Sequence, residues 1–518
     1  MSTPGACATT ARRIATGAVL GTLGFLIIAP LWAILARALS DTAAYFDLVG
    51  SPRIHRIVSF TVEQTAISVV LALALGIPIA LLGCWRVPFS RVAITITTAT
   101  FVLPTMVVAA AWRALAVPNG LLAITTAHAY FNVSVIVRFV TDAHARIPKE
   151  RFDVARTLGA GPFGMSRWVI LPGVRRAIFT AAAVVAAFSA TSLGIVTALA
   201  AQRQGTIETE ILRRATSVDA LPSAAWLGIL QLVLIAPLLL IVIRQRTLVG
   251  SRTDDLHVPR LGHMGRLIGG VAAVGVIVIW CLPLVQLLRS ATWGQLDRIA
   301  LAVSGGSLTD AIAGSVRAAA LATPLAIGFA LALVLIRSRA ATAIRGLSLL
   351  ALGISPALLG LGMLLAYRVG FLDLRTSPLL IPIAQSLVAL PFCIRLISDA
   401  HASIPADRIA MARALGCSRT ALIRFVEWPA LARTTLSAAG FAAVIALGDF
   451  SATTFIARPD QPTLPLLIQR CFSRPGTAAR GTGIAVACVL LGLCGVAFGL
   501  THVHPLRRSA AHERWVPK

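Results

Sequence analysis

Arg138–Gly159 reads RFVTDAHARIPKERFDVARTLG, and Arg395–Gly416 reads RLISDAHASIPADRIAMARALG. Aligned without a gap, twelve of the 22 positions are identical: Arg138, Asp142, Ala143, His144, Ala145, Ile147, Pro148, Arg151, Ala155, Arg156, Leu158 and Gly159 all recur. Chance does not produce such a match, so the chain is an internal duplication with an offset of 257 residues. Both copies are polar and basic, and both are set in strongly apolar surroundings. Those surroundings decide the fold class.

Of the 518 residues, 57% are hydrophobic and only 13% charged, with a mean hydropathy of +0.85. A soluble chain of this length needs more charge on its surface. Lipid is the alternative solvent, and a helix of about 20 apolar residues spans its core with every backbone group paired. Twelve stretches have that length: 14–36, 58–83, 92–116, 121–140, 175–200 and 221–243, then 266–288, 311–336, 344–366, 378–397, 431–457 and 481–503. The first follows Arg12 and Arg13 as a signal peptide would, but its apolar run is longer than a signal core and reads as an uncleaved span. The sequence therefore predicts an all-α polytopic membrane protein of about 12 transmembrane helices.

With the N-terminus inside and sides alternating, the inner segments hold most of the 46 Lys and Arg, as the positive-inside rule requires. The net charge of +26 is thus a topology signal, and nucleic-acid binding is not expected. Both termini fall in the cytoplasm. Six spans per half return the chain to its starting side, so the two copies of the repeated loop are both cytoplasmic. They lie between the fourth and fifth spans of each half. This is a parallel repeat about an axis along the membrane normal. The expected segments are an N-terminal span and outer loop (1–57), a first repeat (58–243), a basic linker (244–265), a seventh span and outer loop (266–310), a second repeat (311–503) and a cytoplasmic tail (504–518). The eight cysteines are scattered without a CxxC pair, which speaks against a disulfide framework or metal site.

Beyond each repeated segment the match continues. Gly159 lies 13 residues before Pro172 in VILP, and Gly416 lies 13 before Pro429 in VEWP. A small residue, three others, glycine, then an apolar residue and proline at this distance resembles the EAA loop of binding-protein-dependent ABC importer permeases. The resemblance implies the type I ABC importer permease fold in a prokaryotic cell membrane. It also implies a short coupling helix in each loop, one ATPase subunit docked beneath each, and an external solute-binding protein. Ala155 and Gly159, like Ala412 and Gly416, are four apart and share a helix face. Small side chains there let a partner approach closely. Leu158 and Leu415 supply apolar contacts, and Arg156 and Arg413 reach for acidic groups. The family's first Glu is Asp153 in one copy and Ala410 in the other, so an acidic contact is expected from one half only.

The chain has two lysines, Lys149 and Lys518, each preceded by proline, and so has no GK[ST] phosphate loop. ATP and its Mg are expected on the separate ATPase subunit, and neither a catalytic site nor a bound cofactor or metal is expected on this chain. By resemblance the fifth span of each half lines the translocation path. In the second half it carries Asp449 and Phe450 within ALGDFSATTF, and in the first half Ser189, Thr191 and Ser192. An intramembrane carboxylate usually faces a bundle interior or water. The competing readings have Asp449 pairing with a helix partner or capping a helix break at Gly448.

Gly448-Asp449-Phe450 with Thr463-Leu464-Pro465 looks like the C-terminal half of thiamine importer permeases. Thr206-Ile207-Glu208 and Gly228-Ile229-Leu230-Gln231-Leu232 are similar to the same family. An acid beside an aromatic ring suits a cation such as thiamine. Iron(III) permeases share the fused layout and are the alternative. A secondary transporter is a further rival, though it has no need of duplicated EAA loops. A membrane enzyme would need clustered acids and histidines. His144 and His401, beside Asp142 and Asp399, lie in the repeated loops and read as structural.

Overall fold

The computed structural model describes residues 4–202, 204–244, 261–294, 296–304, 307–336, 339–350, 355–367, 377–458 and 461–502. Residues 245–260 of the expected linker fall outside these residues, as does the whole expected C-terminal tail. Among the described residues every regular element is a helix. Ten are long and apolar enough to cross a membrane: Gly17–Leu39, Pro52–Cys84, Leu121–His144, Pro162–Ala190, Leu221–Val242, His263–Arg289, Leu308–Leu335, Leu380–Ala402, Arg419–Gly448 and Thr477–Thr501.

The third expected span is not straight. Between Ser90–Val102 and Thr105–Ala114 it bends by 112°. Proline disfavours the helical conformation in the residue before it, and Leu103, before Pro104, is extended at φ −69°, ψ 135°. Pro104 then sits at φ −57°, ψ 139° and opens the second arm. In the second half the ninth span is likewise represented by a short helix, Pro356–Ala366, again begun by proline. Ser355 accepts the amide of Leu358 at 3.0 Å and caps it.

The fifth spans also differ from the expected 175–200 and 431–457. Each begins earlier, at Pro162 and Arg419, and passes through a five-residue π-helical turn, Ser166–Ile170 or Ile423–Glu427. Each then stops short of its expected end. The helix Leu171–Ala190 ends before Thr191, and Leu193–Leu199 follows as a separate piece. Its counterpart Trp428–Gly448 ends before Asp449, and Thr453–Ile456 follows.

The chain forms two compact units. One comprises Ala38–Ile299 and Ile468–Cys488. The other comprises the stretch up to Arg37, Ala300–Leu467 and the stretch from Val489. The N-terminal helix therefore belongs with the second repeat, while the seventh spanning helix belongs with the first. The expected division had set both apart from the repeats.

Packing accounts for both memberships. In the unit built on the second repeat, the Phe25 ring lies 5.9 Å from that of Tyr367. Gly362 there lets the helix approach the Pro30 carbonyl so closely that a Cβ would stand 2.7 Å from it. In the unit built on the first repeat, the rings of Tyr130 and Trp280 stack at 5.7 Å, and the Tyr130 hydroxyl donates to the Trp280 carbonyl at 2.9 Å.

Candidate functional site

The repeated segments fold alike. Pro148 and Pro405, both extended, begin the short helices Lys149–Thr157 and Ala406–Ala414, because proline's fixed φ suits the start of a helix and not its interior. Each helix ends at glycine in the left-handed region, Gly159 at φ +75° and Gly416 at φ +76°. Around Gly159 the amide of Ala160 donates to the Ala155 carbonyl and that of Gly159 to the Arg156 carbonyl, both at 2.9 Å. Around Gly416 the amide of Cys417 donates to Ala412 and that of Gly416 to Arg413, both at 3.0 Å. These are Schellman caps, which satisfy the last carbonyls of a helix and turn the chain sharply away.

The glycines are thus required first by backbone angle. A Cβ on either would meet nothing within 4 Å, so the space in front of them is open. The caps push the preceding leucines outward: Leu158 is 81% exposed and Leu415 87%. Val154 and Met411 are exposed beside them. Asp153 pairs with Arg156 of its own helix at 3.5 Å on the surface, a contact that contributes little to stability. Ala155 and Ala412 are part-buried, and Arg413 is exposed. Each loop helix therefore offers an apolar knob beside a cationic side chain, the makings of an interface core and rim.

The residues expected on the path lie at the breaks in the fifth spans, Ser189, Thr191 and Ser192 in one unit and Asp449 and Phe450 in the other. Asp449 is buried, and its carboxylate is engaged locally. Oδ2 accepts the Thr453 amide at 3.0 Å and the Thr453 hydroxyl at 2.7 Å, while Oδ1 accepts the Ala452 amide at 3.3 Å. This is how a carboxylate caps the free amides at a helix start, and it matches the capping reading of the Gly448 break. Gln385 donates to the Thr453 hydroxyl at 3.3 Å and extends the cluster. Phe450 is 2% exposed and lies in the core of its unit.

In the first repeat Ser189 is fully buried. Its hydroxyl accepts from Asn132 at 3.2 Å and its carbonyl accepts from Gln64 at 3.0 Å. The Thr191 hydroxyl donates back to the Ala187 carbonyl at 2.9 Å. Ser192 stands at the aligned position of Asp449 and begins the short helix Leu193–Leu199.

A polar nest around Ser189 was not anticipated from the sequence. Gln64 Oε1 lies 3.1 Å from His128 Nδ1, and the Ser68 hydroxyl lies 3.4 Å from it. Because the Gln64 amide nitrogen already donates to Ser189, its oxygen faces the imidazole and accepts from Nδ1. The signal was present: Gln64 and Ser68, and His128 and Asn132, are each four apart within apolar spans and so share a face.

Outside the spans, the helix Ile207–Ala215 opens with a capping box from Thr206 and Thr209. Glu208, fully buried, accepts from Gln231, which joins two of the motifs singled out in the sequence. Glu210, also buried, holds Arg213 and Arg214 of its own helix and Arg53 at 3.2 Å. Burial raises the Glu210 carboxyl, but hydrogen bonds from Arg213 and Arg214 and the charge of Arg53 outweigh it and bring it down to about 2. Arg113 donates from Nε and Nη2 to the Ala198 carbonyl at 2.9 and 2.6 Å, closing the end of Leu193–Leu199.

Residues 322–507 match the family described as binding-protein-dependent transport system inner membrane component. The chain is 27% identical, over an alignment 536 positions long, to the thiamine transport system permease protein ThiP of Brucella abortus (strain 2308), covering 95% of this chain and 97% of that protein. To the thiamine permease protein ThiP of Escherichia coli (strain K12) it is 25% identical, covering 75% of this chain and 74% of the other. One half resembles a shorter protein, the putative 2-aminoethylphosphonate transport system permease protein PhnV of Salmonella typhimurium. There the identity is 30% over 241 residues, 43% of this chain and 89% of that one. The chain belongs to the binding-protein-dependent transport system inner membrane component family. It is a fused permease of an ABC importer, with two permease repeats in one polypeptide.

Proposed function

We propose that this permease imports thiamine handed over by an external binding protein, driven by ATP that a separate ATPase subunit binds with Mg and hydrolyses. The observation that carries the substrate is the similarity, over 95% of this chain in one case and 75% in another, to permeases named for thiamine transport. Shared layout alone favours the iron(III) alternative, and no cluster of three or more His, Cys, Asp or Glu occurs among the described residues.

In this reading the loop helices are coupling helices on the cytoplasmic side, with both termini on that side. Two ATPase subunits dock there, one on the face formed by Asp153, Ala155, Arg156, Leu158 and Gly159, the other on Ala412, Arg413, Leu415 and Gly416. The exposed leucines enter grooves of the ATPase, and the arginines meet acidic rims. The caps support this role because they present a fixed helix end with open space before it. When ATP draws the two ATPase subunits together, the coupling helices follow, and the fifth spans that begin just beyond them carry the movement into the membrane. Ser189, Thr191, Ser192, Asp449 and Phe450 act at the breaks of those spans. Their short helices give a place for the path to open or close without unwinding a long helix. Asp449 serves the path by shaping this break.

The test is copurification of the tagged chain in mild detergent, followed by reconstitution with the ATPase and binding protein recovered. ATP-dependent uptake of labelled thiamine, competed by unlabelled thiamine and not by ferric iron, is the expected result. Recovery of no ATPase, with cross-linkers placed near Gly159 and Gly416, overturns the importer mechanism. Uptake of iron without thiamine overturns the substrate.

A further inference from the structure

The two loop helices are presented alike but fastened differently. In the first repeat an apolar plug holds the loop. Phe152 is 2% exposed, and its ring meets the buried His144 edge-on at 5.8 Å. The aligned residue in the second repeat is Ile409, and the helix Ala406–Ala414 buries no side chain of its own.

What ties down the flanks there is one carboxylate. Glu427 is fully buried. Its Oε1 accepts from Arg419 Nη1 at 2.6 Å and lies 3.6 Å from His401 Nε2. Arg419 Nη2 donates to the carbonyl of Leu335, the last residue of the span Leu308–Leu335, at 2.9 Å. His401 stands five positions before the loop helix and Arg419 five after it. Glu427 thus gathers the chain entering the helix, the chain leaving it and the end of a spanning helix. In the first repeat the aligned positions of Glu427 and Arg419 hold Ile170 and Pro162, neither of them ionisable.

We propose that Glu427 is a positioning residue that pins the second loop helix by charge, where Phe152 pins the first by apolar packing. This rests on the reading of the loop helices as ATPase docking elements and gives the two docking sites unequal supports. Loss of one member of a buried ion pair is costly because the other charge is left uncompensated, whereas replacing both by apolar residues is tolerated. The second support is therefore sensitive to a neutral substitution that keeps the shape of the side chain, and the first is indifferent to it.

The experiment compares Glu427→Gln, Glu427→Asp and the double variant Glu427→Ile/Arg419→Met in the full transporter. Pinning is read from the alkylation rate of Cys417, the part-exposed thiol next to Gly416, quantified by peptide mass. Docking is read separately, from ATPase copurification and ATP-driven uptake. Glu427→Gln should speed Cys417 alkylation and lower uptake, each by at least about five-fold, the effect of roughly 1 kcal/mol on a two-state population. Glu427→Asp, which keeps the charge, should stay nearer the parent, and the double variant should recover much of the loss. If Gln is harmless and Asp harmful, side-chain size is what matters and the proposal falls. Unchanged Cys417 alkylation in Glu427→Gln also overturns it. Faster alkylation with normal copurification and uptake upholds the pin and instead overturns the docking role of the loop.

Discussion

Replacement of Gly159 and Gly416 separates two reasons a glycine can be needed. At φ +75° and +76° a residue with a Cβ strains its backbone by about 1–2 kcal/mol. Apart from the glycine and its two chain neighbours, no described atom lies within 4 Å of where the Cβ would be, so packing against the rest of the protein adds nothing. A cost of that size changes the population of a loop conformer by a factor of about 5–30. Asparagine adopts the left-handed region more readily than alanine although it is larger, and β-branched valine adopts it least.

If the Schellman cap sets the loop helix for docking, uptake by reconstituted transporter should fall in the order Asn, Ala, Val, with Asn closest to the parent. ATPase copurification should follow the same order. A Gly159→Asn or Gly416→Asn variant as impaired as the valine variant would refute the backbone argument and leave close approach of the partner as the reason. Full activity in all three would refute both.

Three further outcomes are expected. Asp449→Ala removes the cap of Thr453–Ile456 and should cost about 0.5–2 kcal/mol of stability with reduced uptake, while Asp449→Asn should retain most of both; equal loss in the two, read by thermal melts and uptake, would show that the charge itself is needed. Glu210 is held down to about 2 from its ordinary 4.5, so its stabilising effect is complete above pH 4.5 and is lost as pH falls toward 2. The parent's melting temperature should therefore drop across that window more steeply than that of Glu210→Gln, and parallel curves would contradict the ion cluster. Gly360→Ala brings a Cβ to 2.6 Å from the Ala452 carbonyl, a backbone atom that cannot swing aside, so this variant should melt earlier than the parent, whereas Gly328→Ala, with open space around it, should not.

Composition and periodicity made the helices legible because a membrane span announces itself in every window of about 20 residues. The duplicated loops were legible for a different reason: their identity at matched spacing survives in residues whose backbone roles leave little choice, such as Pro148 and Gly159. What hydropathy cannot register is a break that leaves composition unchanged. The stretch from Ala187 to Leu199 is apolar throughout apart from a few hydroxyls, yet the helix stops before Thr191. Partners distant in sequence were also hidden. Nothing local to Phe25 or Pro30 points to Tyr367 and Gly362, and Glu427 stood in the quoted VEWP motif with no sign that Arg419 and His401 converge on it. The Asp449 cap was legible as one of three alternatives, since a carboxylate three or four residues before free helix amides is a local pattern.

The assignment of the N-terminal helix to the second unit has a consequence for biosynthesis. Its packing partners Gly362 and Tyr367 lie about 320 residues further along the chain than its own end at Leu39. At roughly 5–20 residues per second of synthesis, the helix waits in the bilayer for on the order of 15–65 s before they arrive. During that interval a complete set of first-repeat helices is synthesised. A gene cut between the repeats would turn this delay into a search between separate polypeptides, each carrying a helix that the other needs.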